Sequence, residues 1–203
     1  MRIEVCGGIA SGKTTLAAAA ASLGLTPCHE RFQENPFLAK FYADVSAYAF
    51  ETEITYLLQH YSQIREALPT PRLATDFSLT LDLAYAYVTL QPEDQQTFTA
   101  VLNRVVEKVG MPSLIVRLEC DSRVELDRIQ KRNRQPEQSI SLEYLDALDS
   151  AIDRALESRW FRPVPVIRID SHRADFRVAG DGREPVLQQI AASIRSLAVR
   201  ADA

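Results

Sequence analysis

The stretch Gly7-Gly8-Ile9-Ala10-Ser11-Gly12-Lys13-Thr14-Thr15 fits the pattern G-x-x-x-x-G-K-[ST] without a mismatch. Residues 1–6, before it, have the composition of a short apolar strand, and the alanine-rich residues 15–21 after it favour a helix. A glycine turn between a strand and a helix lets successive N–H groups converge on an anion, where the helix dipole also favours negative charge. The stretch therefore predicts a phosphate-binding loop for a nucleoside triphosphate.

Two side chains of this loop have chemistry of their own. We expect Lys13 to reach the β- and γ-phosphates and the Thr14 hydroxyl to bind Mg²⁺. The alternative is a glycine-rich turn that only caps a helix, and the strand before it and the helix after it disfavour that interpretation. The motif predicts triphosphate binding and leaves open what is done with the triphosphate.

Composition narrows the class of protein. A chain of 203 residues with 46% hydrophobic content is long enough for one sizeable domain, residues 1–203. The net charge of −4 disfavours nucleic acid as a partner. Three cysteines and three histidines are scattered, which argues against zinc. No apolar run reaches the length of a membrane span, so we expect a cytoplasmic protein without membrane contact.

Apolar segments that alternate with helical segments predict the fold class. Helical patterns cover residues 15–21, 37–42, 46–68, 79–90, 92–109, 124–132, 142–156 and 184–200. Strands are expected at residues 1–6, 26–30, 72–77, 113–118 and 164–169. Because parallel neighbours need crossover connections, this alternation predicts an α/β fold with a five-stranded parallel sheet and helices on both faces.

Two carboxylates follow predicted strands. Glu30 and Asp76 stand at the carboxyl ends of the second and third strands, as the phosphate-binding loop does at the end of the first. Ligands of open parallel sheets bind outside these ends, so the three pieces are expected to meet in one crevice. Each carboxylate taken singly also fits a solvated loop residue or a helix cap. Because the phosphate-binding loop lies at the same edge of the predicted sheet, we favour the interpretation that both carboxylates belong to its site.

A basic cluster lies near the end of the sixth helical segment. Arg128, Lys131, Arg132 and Arg134 precede Glu137 there. Such a cluster can simply complement the dipole at a helix C-terminus. We favour an arginine-rich lid, residues 128–140, because guanidinium groups suit the spread charge of a transferring phosphoryl group and a lid excludes water.

Several short motifs follow one another along the chain: Glu30, Asn35-Pro36-Phe37-Leu38, Phe41-Tyr42-Ala43-Asp44, Tyr48-Ala49-Phe50, Asp76-x-Ser78 and Arg128-x-x-x-Arg132-x-Arg134-x-x-Glu137. Their order and spacing resemble the deoxynucleoside kinases, particularly the bacterial deoxyadenosine/deoxyguanosine kinase branch. The resemblance runs from residue 1 to about residue 160 and more loosely to the end. It implies a P-loop kinase fold, the cofactors ATP and Mg²⁺, phosphorylation of the 5′-hydroxyl of a deoxynucleoside in nucleotide salvage, and a homodimer.

The resemblance also implies roles for individual residues. Glu30 matches the general base that takes the proton of the substrate 5′-hydroxyl, and Tyr42 and Glu137 match the pair that holds the sugar 3′-hydroxyl. Asp76 matches an acidic residue near the substrate and the magnesium, which it is expected to hold with Thr14, through water. The lid arginines are expected to act with Lys13 on the phosphates. These lid residues are Arg128, Arg132 and Arg134.

The chain departs from the family at Phe77, where an arginine usually stands between the acidic residue and the serine. That arginine lies near the 5′-hydroxyl and the catalytic carboxylate, so this part of the site lacks one positive charge. Either another arginine supplies the charge, with Arg65 as one candidate, or transfer is slower.

The second departure is Glu53, eleven residues after Tyr42, where the family usually has a glutamine that pairs with the base. An ionised glutamate offers only acceptors, which suit the adjacent N–H and NH₂ donors of guanine better than the mixed edge of adenine. Glu53 therefore predicts a purine substrate, with guanine first. The alternative is that Glu53 faces water on the long helix.

Two other functions stay open at this point. A nucleoside monophosphate kinase, or another small-molecule P-loop kinase, shares the loop and the lid, but its charged acceptor would call for extra cations rather than a carboxylate base. A nucleotide-dependent regulator would bind the triphosphate and change shape for a partner. It would need no acceptor pocket.

Overall fold

The computed structural model describes residues 1–134, 137, 139–172, 176, 177, 180 and 182–201. Within these residues the chain forms one sheet of five strands, which are β1 (Arg2–Gly7), β2 (Thr26–Cys28), β3 (Leu73–Thr75), β4 (Leu114–Glu119) and β5 (Val166–Asp170). Their order is β2-β3-β1-β4-β5, and every neighbouring pair is parallel. The predicted five-stranded parallel sheet is confirmed.

The helices agree closely with the predicted segments. Their bounds are α1 (Lys13–Ala19), α2 (Leu38–Ala43), α3 (Val45–Ala67), α4 (Leu79–Thr89), α5 (Pro92–Val109), α6 (Ser122–Arg132), α7 (Leu142–Leu156) and α8 (Glu184–Ala201). The main differences are α1 and α6, which each begin two residues earlier than expected. Gly12 ends the loop before α1 with a left-handed backbone, φ 103°, and the Asp121 side chain caps the start of α6. Among the described residues, none of the helices is both long and apolar enough to cross a membrane.

Apolar side chains cover both faces of the sheet. On one face, Ile3 and Val5 of β1 belong to a buried cluster with Leu16 of α1 and Leu187 of α8. On the other face α4 contacts β1, and α3, α5 and α7 pack around α4. The buried side chains of these four helices include Leu57, Leu83, Phe98 and Leu148. Burial of one such side chain contributes about 1.5–3 kcal/mol, so these contacts fix α4 against the sheet and α3 against α4.

The start of α4 is fixed by polar contacts to the central strand. The Ser78 hydroxyl accepts the N–H of Leu81 at 3.0 Å and caps the helix. The carboxylate of Glu4, fully buried on β1, accepts the N–H of Leu79 at 3.2 Å and a hydrogen bond from Arg2 at 2.8 Å. Burial raises the pKa of Glu4, and the neighbouring Arg2 opposes this rise. The first turn of α4 therefore has a defined position relative to the ends of β1 and β3.

Candidate active site

A cleft of about 1280 Å³ opens at the carboxyl ends of β1, β2 and β3. It is lined by the phosphate-binding loop from Ile9 to Thr15 and by the two carboxylates that follow β2 and β3, Glu30 and Asp76. The other predicted site residues that line it are Tyr42, Glu53, Arg128, Arg132, Arg134 and Glu137. The structure therefore brings together segments that lie more than a hundred residues apart in the sequence.

The backbone of the phosphate-binding loop depends on two glycines. Gly12 has φ 103°, a left-handed conformation that glycine adopts without steric cost. A Cβ atom on Gly8 would collide with the carboxyl group of Glu125, which α6 places against the loop. Ala10 also has a positive φ, 62°, which is uncommon for a residue with a side chain. A non-glycine residue held in this conformation is typical of functional loops.

Lys13 lies within the loop, as its motif predicts. Its ammonium donates hydrogen bonds to the carbonyl oxygens of Gly7 and Gly8, at 2.9 and 2.7 Å. Burial lowers the pKa of Lys13, and the negative charges of Glu30 and Glu125 oppose this change. Burial likewise raises the pKa of Glu125 to about 7, against the influence of Lys13. Lys13 and Glu30 thus interact electrostatically across the cleft.

Two side chains hold the backbone around Glu30. The N–H of Glu30 donates to Oδ1 of the buried Asp76 at 2.6 Å. Gln63 of α3 donates to the carbonyl of His29 at 2.8 Å and accepts the N–H of Arg31 at 3.3 Å. The two elements that flank this segment, β3 and α3, therefore fix where the Glu30 side chain begins.

The carboxylate of Glu30 contacts His60, which in turn contacts Asp82, and the sequence analysis singled out neither residue. Nε2 of the buried His60 is 3.2 Å from Oε1 of Glu30, and Nδ1 of His60 is 2.8 Å from Oδ1 of Asp82. A signal was present, because His60 follows Glu53 by seven residues and therefore lies on the same face of α3. Arg65, the candidate replacement for the missing cation, is exposed and contacts Tyr61. That candidate is wrong, because Arg65 lies on a different face of α3.

Glu53 is buried, 3% exposed, and lines the cleft, so the alternative that it faces water is wrong. Burial, together with the nearby Asp82, raises its pKa to about 8, while a hydrogen bond from Thr89 at 3.2 Å opposes the rise. At neutral pH Glu53 is therefore a neutral acid. The prediction of guanine over adenine assumed an ionised carboxylate, so its physical basis does not hold at this pH.

Tyr42 and Glu137, the pair expected at the sugar 3′-hydroxyl, both line the cleft. Burial raises the pKa of the Tyr42 hydroxyl, and the charge of Glu137 adds to the effect. The carboxylate of Glu137 forms an ion pair with Arg132 at 2.6 Å, and Arg134 lies 3.6 Å from its other oxygen. Two of the predicted lid arginines are therefore bound to Glu137, and Arg134 also lies over the ring of Phe32.

Arg128 has a different set of partners from the other two arginines. Its Nη2 donates to the carbonyl of Ser171 at 2.9 Å, and its Nη1 lies 3.4 Å from the carbonyl of Ala10 in the phosphate-binding loop. The guanidinium is therefore fixed beside the loop that is expected to bind the phosphates. The predicted lid, residues 128–140, includes residues 135, 136 and 138, which lie outside the described residues.

The expected magnesium ligands can be placed. Thr14 and Asp76 both line the cleft, Thr14 at the start of α1 and Asp76 directly after β3. In the part of the chain that the structure describes, no group of three or more His, Cys, Asp and Glu side chains could hold a metal ion. A metal in this cleft would therefore need ligands from its substrate or from water.

Comparisons with known proteins agree with this geometry. The sequence model for deoxynucleoside kinases matches residues 3–195. The chain is 28% identical to the deoxyguanosine kinase of Lactobacillus johnsonii, covering 96% of this chain and 93% of that protein. It is 31% identical to the deoxyadenosine kinase of Dictyostelium discoideum, covering 83% and 71%. A solved structure of deoxyadenosine kinase from M. mycoides with bound dCTP has a TM-score of 0.80 at 22% identity, covering 95% and 100%.

The chain belongs to the deoxynucleoside kinase family, since the family's sequence model matches nearly its whole length. The resemblance inferred from its motifs is confirmed, and the chain is an enzyme of the transferase class. The likeness to the M. mycoides structure shows the shared P-loop kinase fold.

Proposed function

We propose that this member of the deoxynucleoside kinase family transfers the γ-phosphoryl group of Mg·ATP to the 5′-hydroxyl of a deoxynucleoside, with purines favoured, in nucleotide salvage. The observation that carries the proposal is the composition of this cleft. One part of its lining is the phosphate-binding loop, and the rest includes Glu30, Tyr42, Glu53 and Glu137. A donor site and an acceptor pocket therefore share one space.

The mechanism assigns each residue one task. Glu30 accepts the proton of the 5′-hydroxyl while the 5′-oxygen bonds to the γ-phosphorus. The bond from that phosphorus to the bridging oxygen breaks, and ADP leaves with the electron pair. Lys13 and the loop N–H groups hold the phosphates, and the three lid arginines compensate charge in the transition state. Tyr42 and Glu137 bind the 3′-hydroxyl and thereby align the 5′-oxygen for attack.

We propose that Mg²⁺ accompanies ATP, held by the Thr14 hydroxyl and, through water, by Asp76. The donor set fits, because the Asp76 oxygens each have one contact, the N–H of Glu30 at 2.6 Å and Nδ1 of His29 at 3.0 Å. Each carboxylate oxygen keeps a further lone pair for a water molecule. Mg²⁺ retains several waters in kinase sites, and when bound it neutralises charge on the phosphate oxygens.

The nucleobase is expected next to Glu53. A neutral carboxyl group offers one O–H donor and one carbonyl acceptor, the same pair as the carboxamide of glutamine. This pair suits the mixed donor and acceptor edges of adenine and of guanine. The names of the relatives, deoxyguanosine and deoxyadenosine kinases, support a purine. We therefore propose a purine deoxynucleoside without a ranking between the two bases at neutral pH.

The charge of the cleft argues against a nucleoside monophosphate as the acceptor. Glu30, Glu53, Asp82 and Glu137 all line it. Of the cations on this side, Arg132 is already paired with Glu137. A phosphate monoester would meet these carboxyl groups, whereas a neutral nucleoside needs only hydrogen-bond partners.

A coupled assay tests the proposed function. Phosphate transfer from Mg·ATP is measured with each of the four natural deoxynucleosides, with each monophosphate and without an acceptor. We expect one or two deoxynucleosides, purines first, to drive turnover. Turnover with monophosphates alone, or equal ATP hydrolysis without an acceptor, would instead support the other kinase class or a regulator. Light scattering on the same sample tests the homodimer, which stays a prediction.

A further inference from the structure

We propose that His60, protonated on both ring nitrogens, is a positioning residue that holds the Glu30 carboxylate and supplies the positive charge that Phe77 cannot supply. The inference rests on the proposed function, because it gives His60 a role toward the proposed base. His60 then provides the positive charge near Glu30 that Arg65 cannot provide, because Arg65 contacts Tyr61 on another face of α3.

The hydrogen-bond geometry favours a doubly protonated ring, because both ring nitrogens face carboxyl oxygens. Nδ1 lies 2.8 and 3.0 Å from the two oxygens of Asp82, and Nε2 lies 3.2 Å from Oε1 of Glu30. A neutral imidazole has one N–H donor and one acceptor nitrogen, so it would direct a lone pair at one of these carboxylates. An imidazolium donates to both. His60 is buried, so water cannot screen the repulsion that a neutral ring would suffer.

The ionisable groups that face His60 support the same state. Asp82 approaches from α4 and Glu30 from the segment after β2, while Tyr56 and Glu53 belong to preceding turns of α3. Burial alone would lower the pKa of His60, but Asp82 and Glu30 raise it to about 10. The pKa of Tyr56 is raised and that of Glu53 is about 8, so both are neutral at pH 7. Burial also raises the pKa of Asp82, and the positive charge of His60 opposes this rise. The proposed state is an imidazolium of His60 that faces Asp82 and Glu30.

Aromatic rings fix the plane of the imidazolium. Phe77 stacks on His60 with ring centroids 4.5 Å apart and an angle of 14° between the planes. Tyr56 is stacked at 5.9 Å and 28°. Aromatic faces attract cations, and more strongly where water is excluded. The residue that departs from the family pattern, Phe77, is therefore a packing partner of the proposed cation.

A fixed cation beside Glu30 suits the reaction. The transition state of phosphoryl transfer is loose, so the protein contributes mostly position and charge compensation. A carboxylate held by His60 at one oxygen keeps its other oxygen for the substrate hydroxyl. Displacement of a reacting group by about 1 Å can cost about 10²-fold in rate, so loss of this contact should appear in kcat.

Three variants test the inference through kinetics. His60→Gln keeps a hydrogen-bond donor and removes the charge, and we expect kcat to fall about 10- to 100-fold while both KM values change less than about threefold. His60→Arg restores a cation whose planar fork can reach both carboxylates, so kcat should stay within about fivefold of the wild type. Arg65→Gln, which removes an exposed cation from the same helix, is the matched control and should leave kcat unchanged.

Two kinetic results would contradict the inference. If His60→Gln keeps the wild-type kcat, or if His60→Arg falls as far as His60→Gln at equal thermal stability, the charge of His60 has no role in positioning Glu30. A general packing role would lower the melting temperature of both variants without separating their kcat values.

Nitrogen NMR of ¹⁵N-histidine-labelled wild type reads the protonation state without any turnover. The chain has three histidines, and the spectrum of His60→Gln identifies the signals of His60. We expect both ring nitrogens to stay protonated from about pH 6 to about pH 9, well above the ordinary range of histidine. A neutral ring at pH 7.5 in an active enzyme overturns this inference alone, whereas a wild type that phosphorylates no deoxynucleoside overturns the proposed function and the role of His60 with it.

Discussion

The two sides of the cleft are built in different ways. The donor side is one contiguous stretch, Gly7 to Thr15, whose main contributions are backbone N–H groups and one lysine. The acceptor side is assembled from the segment after β2, from α2, α3 and α4, and from the segment after α6, and the roles proposed there belong to side chains. A backbone cradle is specified by local conformation. A side-chain pocket depends on burial and on neighbours from distant segments.

This difference has a consequence for chemistry. On the donor side the ammonium of Lys13 has its partners within the same loop. On the acceptor side the protonation states of Glu53 and His60 differ from those of the free side chains, because both are buried next to Asp82. Triphosphate binding is therefore a property of a motif, whereas acceptor choice and its pH dependence are properties of the packed structure.

The largest expected effect falls on the acceptor side. Glu30→Gln keeps the size of the side chain and removes the proposed base, so kcat should fall about 10²- to 10⁴-fold. Triphosphate affinity, measured by calorimetry, should change less than about twofold, because the loop N–H groups are untouched. An unchanged kcat would show that Glu30 is not the base. It would also contradict the assignment of proton transfer to the acceptor side of the cleft.

The matching change on the donor side is Lys13→Ala. Loss of the ammonium should lower kcat/KM about 10²- to 10³-fold, because one charge-stabilising donor is removed from the transferring phosphoryl group. Triphosphate binding should weaken as well, while deoxynucleoside binding, measured by calorimetry, should not. An equal loss of deoxynucleoside affinity would contradict the separation of the two sides.

Glu53→Gln tests whether the choice of purine on the acceptor side depends on pH. The pKa of Glu53 is raised from 4.5 to about 8, so its carboxyl group is protonated below that pH and ionised above it. At about pH 6.5 the variant and the wild type should rank the purine deoxynucleosides alike. At about pH 9 the wild type should shift toward deoxyguanosine by about fivefold relative to the variant, since one mismatched hydrogen bond costs about 1 kcal/mol.

The variant itself provides the control, because glutamine does not ionise. A pH-dependent ranking in both proteins would assign the titration to another group. If the two proteins differ equally at both pH values, Glu53 is ionised throughout, and the expectation of guanine first regains its basis.

The smallest expected effect concerns the sugar. Tyr42→Phe removes one hydroxyl and should raise the KM for the deoxynucleoside about five- to tenfold. A dideoxynucleoside, which lacks the 3′-hydroxyl, should show no such difference between variant and wild type. Tyr48→Phe is the matched control, because Tyr48 is half-buried near Lys40 and does not line the cleft. Equal penalties for both substrates would contradict a contact between Tyr42 and the 3′-hydroxyl.

The sequence by itself determined the parallel sheet, the bounds of most helices and the phosphate-binding loop. These features follow from local causes: the periods of apolar residues, helix propensity and glycines at a strand-to-helix turn. The bounds of α5 and α7, for example, match those expected from the sequence. The order of the motifs also identified the family, because spacing along the chain survives where overall identity is low.

Only the tertiary structure decided the electrostatics of the acceptor side. The sequence could not show that Glu53 is buried beside Asp82 and hence neutral, or that His60 lies between Asp82 and Glu30. It suggested Arg65 as the missing cation, whereas the turn of α3 that faces the cleft presents His60. The physical reason is that a pKa is set by solvent exclusion and by charges within a few ångströms, and these come from segments far apart in the chain.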